Sequence, residues 1–207
     1  MASVEEIEAA VAAGAHAVGL VGEMPSGAGV IGIDRAAILA RSVPAGVESF
    51  YLSSAETAAA LAREVSQVRP TTLQIVRHVA PAIYPELRRA APGVRLVQVV
   101  HVEDAGSLAT ASAYAGLADA LLLDSGRPTA GVAELGGTGR THDWSLSARI
   151  VRATSIPVYL AGGLNASNVR AAIEAVRPFA LDFCSGVRTN DKLDASMLAA
   201  LVTALRG

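Results

Sequence analysis

The sequence has little of several features that mark particular classes of protein. It contains one cysteine in 207 residues, which excludes an internal disulfide framework and fits a reducing cytoplasm. Aromatic residues make up only 4%, and 17 basic residues stand against 19 acidic ones, for a net charge of −2. This balance predicts neither a base-stacking surface nor a basic stripe for nucleic acid. Residues 1–11 are acidic and lack a basic region, so we expect no secretory signal.

Long apolar runs are also absent, although the sequence is rich in apolar residues. No run approaches the roughly 18 residues that a membrane-spanning helix needs. Hydrophobic residues nevertheless reach 52%, with a mean hydropathy of +0.41. Parallel strands that are covered on both faces would account for this composition. A chain of this length can bury a sizeable core, and we expect a single domain over residues 1–207.

Short apolar runs alternate with amphipathic segments along the whole chain, which is the pattern of repeated βα units. We count seven strands and eight helices, with a helix first. The pattern predicts an α/β fold of the (β/α)8 barrel type, with a doubly wound open sheet as the rival. A closed barrel needs one more strand, which we expect before Val4. The predicted strands are 16–21, 48–52, 71–76, 95–102, 120–123, 158–161 and 180–184.

Three of these strands, in the C-terminal half, stop at clusters of small polar residues. Parallel strands bring such clusters to one edge of the sheet, so we expect them to form one site. Glycines there allow a ligand to approach the backbone, whose N–H groups bind phosphate. Asp124, at the end of one strand, is by itself more typical of a turn or a helix cap than of an acid catalyst.

Four motifs in this half resemble those of the phosphoribosylanthranilate isomerase family of tryptophan biosynthesis. They are ALLLDS, GGTGRTHDW, LAGGLNASNV and LDFCSGVR, in this order within residues 118–188. The resemblance implies a TIM barrel and an Amadori rearrangement. In that reaction N-(5-phosphoribosyl)anthranilate becomes 1-(2-carboxyphenylamino)-1-deoxyribulose 5-phosphate, and no metal or organic cofactor is required.

The resemblance also implies roles for particular residues. Asp124 becomes the general acid that opens the ribose ring. Asp182 becomes a substrate contact, although a buried carboxylate bonded to backbone amides is an equally simple interpretation. The remaining residues implied to bind substrate and its phosphate are Gly136, Gly137, Thr138, Gly139, Gly162, Gly163, Ser185 and Gly186. We expect a bound anion between the pairs 162–163 and 185–186.

The sequence departs from the family pattern on the other side of the site. The family's general base is a cysteine in a Lys-Ile-Cys-Gly motif, which this sequence does not contain; we interpret Cys184 as a small buried residue. The family's Ser-Pro-Arg motif aligns with residues 24–27, which have no arginine, and its strand-end histidine aligns with Val76. Arg77 or His101 could replace the arginine. Arg188 stands where many members have glutamate.

These departures leave other functions open. One is an isomerase or aldolase acting on another phosphorylated sugar. Another is a catalytically silent barrel that binds a phosphorylated metabolite. We expect weak or no native-like isomerase activity from these 207 residues, and either a homodimer or a rearranged N-terminus over the expected gap beside the first strand. No nucleic-acid or membrane partner is indicated.

Overall fold

The computed structural model describes residues 1–25, 29–126 and 141–206. Seven parallel strands form one sheet whose spatial order follows the chain, β1 to β7, and helices alternate with them. This confirms the predicted barrel-type fold. The strands are β1 Ala17–Val21, β2 Glu48–Ser53, β3 Thr72–Ile75, β4 Arg95–His101, β5 Ala120–Asp124, β6 Val158–Leu160 and β7 Ala180–Leu181.

The helices cover the outer face of the sheet, and the inner face holds a second, smaller core. The helices are α1 Val4–Ala12, α2 Ile33–Ser42, α3 Ala58–Val68, α4 Ile83–Ala90, α5 Ser107–Ala115, α6 Trp144–Ala153, α7 Val169–Val176 and α8 Ala195–Arg206. In β4, Leu96 and Val100 pack outward among the helices, whereas Val97 and Val99 belong to the inner core. Strand residues of alternating position therefore serve two cores, as a barrel wall requires.

The outer edge of β1 is partly covered by other segments of the chain. The carbonyl of His16 and the N–H of Gly22 both hydrogen bond to β2. In a parallel strand alternate residues face opposite neighbours, so the carbonyls of residues 17, 19 and 21 point away from β2, towards the outer edge. The N-terminal amino group of Met1 donates to Gly19 O, and Ile31 N donates to Val21 O over 2.9 Å. Within the described residues no further strand pairs with this edge or with the outer edge of β7. The expected eighth strand stays a prediction.

An ion pair between Glu6 and Arg188 connects the two ends of the sheet. Glu6 lies in α1, beside β1, and Arg188 follows β7; their side chains are 14% and 10% exposed, and Arg188 Nη2 lies 3.1 Å from Glu6 Oε2. Glu6 Oε1 also accepts from Leu193 N at 3.0 Å. Burial acts to raise the pKa of Glu6, but the Leu193 and Ala2 amides and the Arg188 guanidinium lower it to about 2.

Most boundaries agree with the sequence prediction, and the differences have local causes. The strand Glu48–Ser53 is followed by a short loop, and α3 begins after Thr57, whose hydroxyl accepts from Ala60 N. Ser53 Oγ donates to Glu64 Oε2. The last strand ends at Leu181 because the chain turns into a short 3-10 helix, Ser185–Val187.

A β-hairpin that the sequence pattern did not predict follows this turn. Its strands are β8 Arg188–Thr189 and β9 Lys192–Leu193. Asn190 and Asp191 have positive φ angles, 50° and 62°, and form its two-residue turn. Among the helices that the structure describes, none is long and apolar enough to cross a membrane.

Candidate active site

Two aspartates lie in one row across the inner face of the sheet, at its C-terminal edge. Backbone pairing aligns His101 with Asp124, Asp124 with Ala161, and Ala161 with Asp182. Each of these residues comes two positions after an inner-face residue of its strand, so strand alternation directs its side chain inward. Ala161, the residue between the two aspartates in this row, is small and buried.

Asp124 is held in a buried setting that favours its protonated form. The residue is 9% exposed. Its Oδ1 accepts from Ser125 N over 2.7 Å, which fixes the orientation of the carboxyl group. Burial raises the pKa of Asp124 to about 6, although the hydrogen bonds from Ser125 act in the opposite direction. A carboxyl group with this pKa can donate a proton near neutral pH.

Asp182 differs from Asp124 in its access to solvent. Its side chain is exposed at the mouth of the barrel. Desolvation by the surrounding protein, together with the nearby Asp124 carboxyl, raises the pKa of Asp182 to about 6, although the Phe183 amide and the Met1 ammonium act in the opposite direction. The sequence pattern could not distinguish these two aspartates, since each one simply follows an apolar run.

The turns after β5, β6 and β7 approach one another closely. Gly162 has a φ of +85°, and a Cβ at this position would lie 3.0 Å from Ser125 N. At Gly186 a Cβ would overlap the carbonyl oxygen of Leu164. The close backbone contacts therefore require glycine at both positions. This requirement is structural and holds whether or not a ligand binds.

The same turns also contain several backbone amide groups. The carbonyl of Gly163 accepts from Asn168 Nδ2 at 2.9 Å and from Asn165 Nδ2 at 3.3 Å, which fixes the orientation of this turn. Among the hydrogen bonds between described residues, none uses the N–H of Gly162, Gly163, Ser185 or Gly186 as donor. Adjacent amide donors on two contacting turns are suited to binding a phosphate.

Comparisons with known proteins agree with this geometry. The family model described as N-(5'-phosphoribosyl)anthranilate (PRA) isomerase matches residues 29–204. The chain belongs to this family. An N-(5'-phosphoribosyl)anthranilate isomerase of Methanocella arvoryzae is 36% identical over 91% of this chain and 86% of its own. The crystal structure of the Thermotoga maritima phosphoribosyl anthranilate isomerase is 26% identical, with a TM-score of 0.84, over 100% of this chain and 96% of its own.

A further structure shows a related barrel with a ligand. It is a phosphoribosyl anthranilate isomerase in complex with reduced 1-(o-carboxyphenylamino)-1-deoxyribulose 5-phosphate. It is 24% identical to this chain, with a TM-score of 0.81, over 100% of this chain and 95% of its own. At this identity the likeness concerns the fold.

Several residues that the isomerase resemblance singled out lie elsewhere or perform structural roles. Arg77 Nη1 forms an ion pair with Glu56 Oε1 at 3.1 Å, and both side chains are substantially exposed. Arg188 bonds Glu6 rather than facing the mouth. Asp143 caps α6, since its Oδ1 accepts from Ser145 N. The glycine-rich loop residues Gly136, Gly137, Thr138 and Gly139 lie outside the described residues.

His101 lies in the row with Asp124 but is fixed by the protein. It is 2% exposed, and its Nε2 lies 3.0 Å from Val76 O, so this nitrogen carries the proton. Its ring packs against that of His78 at an interplanar angle of 44°, with the centroids 5.3 Å apart. Burial lowers the pKa of both histidines. They are therefore neutral at pH 7 and poorly suited to bind the carboxylate of an anthranilate ring. No group of potential metal ligands is found among the residues described.

Cys184 lies two residues beyond Asp182 and is partly buried. Burial raises the pKa of its thiol, and the Asp182 carboxyl raises it further. The thiol is thus protonated at neutral pH, which agrees with the interpretation of Cys184 as a packing residue rather than a base.

Proposed function

We propose that the chain, acting as one domain over residues 1–207, isomerises N-(5'-phosphoribosyl)anthranilate in tryptophan biosynthesis. The observation that carries this proposal is the buried Asp124, with its raised pKa, beside two contacting glycine turns in a barrel of this family. A proton donor next to a phosphate-binding surface is what an Amadori rearrangement of a phosphosugar requires.

Asp124 serves as the general acid in this reaction. Its protonated carboxyl donates to the ring oxygen of the ribose, so that the ring opens to a Schiff base at C1. The Ser125 amide, 2.7 Å from Oδ1, holds the carboxyl group in position and stabilises the carboxylate that remains. The acid must be protonated before the step, so activity is expected to fall as the pH rises above about 6.

The 5'-phosphate occupies the surface formed by the two glycine turns. Amide N–H groups of residues 162–163 and 185–186 donate to its oxygens, in the usual position after the last two strands of such a barrel. The contact of Gly186 with Leu164 brings these turns together. We expect inorganic phosphate to inhibit the reaction competitively at this surface.

Two further properties accompany this function. A biosynthetic enzyme with one cysteine suits the cytoplasm, which we propose as its location. The outer edges of β1 and β7 could also be covered by a second copy of the chain in a homodimer, since sheet edges favour such pairing. Sedimentation or light scattering would measure this directly.

Turnover of N-(5'-phosphoribosyl)anthranilate by the purified protein tests the function. The assay generates this compound from anthranilate and phosphoribosyl pyrophosphate, and measures the loss of its fluorescence. Rescue of a tryptophan auxotroph that lacks its isomerase is the matching test in cells. We expect turnover in the first and growth without tryptophan in the second.

A protein that binds phosphate but turns over nothing would instead support a silent phosphometabolite-binding barrel. Turnover of a different phosphorylated aldose, with none of the anthranilate compound, would support an isomerase of another substrate. Either result would overturn the proposal.

A further inference from the structure

We propose that Met24 and Leu52 form an apolar surface for the aryl ring of the substrate, and that the chain isomerises N-(5'-phosphoribosyl)arylamines that lack the carboxylate of anthranilate. This inference rests on the proposed function and defines the substrate class of the same site. It extends the activity from one arylamine to a set of them, which are selected by apolar contact and not by an ion pair.

Met24 lies at the mouth of the barrel, in the loop that follows β1. It comes three residues after the end of β1, and its partly buried side chain packs against the inner core. Two hydrogen bonds hold the loop in place. Gly22 N donates to Leu52 O over 3.0 Å, and Ser54 Oγ donates to the carbonyl of Glu23 over 2.7 Å. The loop therefore presents a partly exposed thioether above the inner core.

The end of β1 faces the end of β5 across the interior. Phe50 in β2 and Tyr159 in β6 are four strands apart, and their ring centroids lie 6.1 Å from each other. Because β1 and β5 have the same separation, Met24 lies on the side opposite Asp124. Leu52 is on the inner face of β2, two residues nearer to the mouth than Phe50. Both apolar side chains thus face the proposed acid.

The shape of the substrate directs its aryl group to this side. The phosphate and the arylamine are attached to opposite ends of the ribose, at C5 and C1. With the phosphate on the turns after β6 and β7, the group at C1 extends towards the loops after β1 and β2. Three partly buried apolar residues pack on the inner core, and of these Met24 and Leu52 lie towards the mouth, whereas Ala180 begins β7. Thioether and aliphatic groups are favourable contacts for an aromatic ring.

The charges on this side of the mouth do not favour a carboxylate. The described parts of the loops after β1 to β4 contain four acidic residues and one arginine, Arg77. Arg77 is paired with Glu56 at 3.1 Å, and His78 is neutral because burial lowers its pKa. The acidic residues are Glu23, Glu56, Glu103 and Asp104. A carboxylate on the aryl ring would therefore gain little binding energy from these loops.

The test compares kcat/KM for N-(5'-phosphoribosyl)anthranilate with kcat/KM for N-(5'-phosphoribosyl)aniline. Liquid chromatography measures the ketose product of each reaction. The aniline compound should reach at least about one third of the value for the anthranilate compound, since no hydrogen bond to a charged group is lost with the carboxylate. A site that pairs this carboxylate with a cation would lose about tenfold or more.

Met24→Arg sharpens the comparison, because it places a cation at the proposed ring surface. It should raise the preference for the anthranilate compound over the aniline compound by about tenfold or more. Ile38→Arg is the matched control. It adds the same charge at a position of α2 that is 54% exposed, and it should leave the preference unchanged.

Met24→Ala removes the ring contact without adding charge. KM for both substrates should rise about three- to tenfold, with kcat within about twofold of the wild-type value. Inhibition by inorganic phosphate should keep its strength, because phosphate binds to the turns on the other side of the mouth. A general folding defect would weaken phosphate inhibition as well.

Three outcomes would overturn the inference. One is a wild-type preference of about tenfold or more for the anthranilate compound. Another is an equal effect of Met24→Arg and Ile38→Arg on that preference. The third is a Met24→Ala variant with unchanged KM for both substrates, or with weakened phosphate inhibition. Absence of turnover with either compound would instead refute the proposed function, and turnover of the aniline compound alone would refute that function while supporting the apolar surface.

Discussion

The two halves of the sheet have different kinds of residue at the C-terminal ends of their strands, although both halves are built from the same βα unit. At the ends of β5 to β7 the inner row contains Asp124 and Asp182, and the turns beyond are glycine-rich and touch one another. At the ends of β2 and β3 the corresponding residues serve the structure. Ser53 bonds Glu64, and Val76 joins the inner core and accepts from a buried histidine. The candidate catalytic groups therefore lie beside the turns that we propose to bind an anion.

We expect the largest effect, a loss of kcat, from the substitution Asp124→Asn in the C-terminal half. Amide substitution keeps the shape but removes the acidic proton, so kcat should fall by about 10²–10⁴-fold with little change in melting temperature. The anthranilate fluorescence assay and a thermal melt measure the two quantities. An unchanged kcat would remove Asp124 from the mechanism.

The next largest effect is expected on stability, from Glu6→Gln. This substitution removes the ion pair between Glu6 and Arg188, which connects the two ends of the sheet. The folded pKa of about 2 lies below the ordinary value of 4.5, so ionised Glu6 stabilises the fold by on the order of 3 kcal/mol above pH 4.5. This contribution is lost as the pH falls from about 4.5 towards 2. Denaturant unfolding at pH 7 should show a loss of this size in the variant.

The same experiment at low pH provides the control for Glu6→Gln. At pH 2.5 the wild type has lost much of this stabilisation, so the difference between the two proteins should shrink. A difference that is independent of pH would mean that packing, not charge, holds α1 to the hairpin.

A smaller effect on stability, with a clear effect on binding, is expected from Gly186→Ala. The added Cβ would overlap the Leu164 carbonyl, so the two turns must separate, at a cost of about 1–3 kcal/mol. Inhibition by inorganic phosphate should weaken along with the melting temperature. Gly116→Ala is the control, because a Cβ there has nothing within 4 Å and φ is −91°.

The smallest effect is expected in the N-terminal half, from Arg77→Ala. Its partner Glu56 is 63% exposed, so the ion pair contributes less than about 1 kcal/mol. If Arg77 has no part in substrate binding, KM should stay within about twofold of the wild-type value. A tenfold increase in KM would show that Arg77 leaves Glu56 to bind the carboxylate of the substrate, and that the catalytic half is less confined than the structure indicates.

Local sequence patterns were sufficient to identify most of the fold. Apolar runs bounded by turn residues located all seven strands of the sheet, because burial on both faces leaves a continuous apolar signature. The hairpin at residues 188–193 was not, since its two-residue strands are too short to produce a periodic pattern.

The family and the position of Asp124 at the end of a strand could likewise be predicted from the sequence, because the four motifs occur in the family's order along the chain. Only the tertiary structure decided what surrounds each group. Desolvation raises the pKa of both Asp124 and Asp182 to about 6, and backbone contact explains Gly186. The ion pair with Glu6 of α1 gives Arg188 a stabilising role. These properties depend on residues far apart in the chain, so desolvation and pairing are determined where the strands and turns meet.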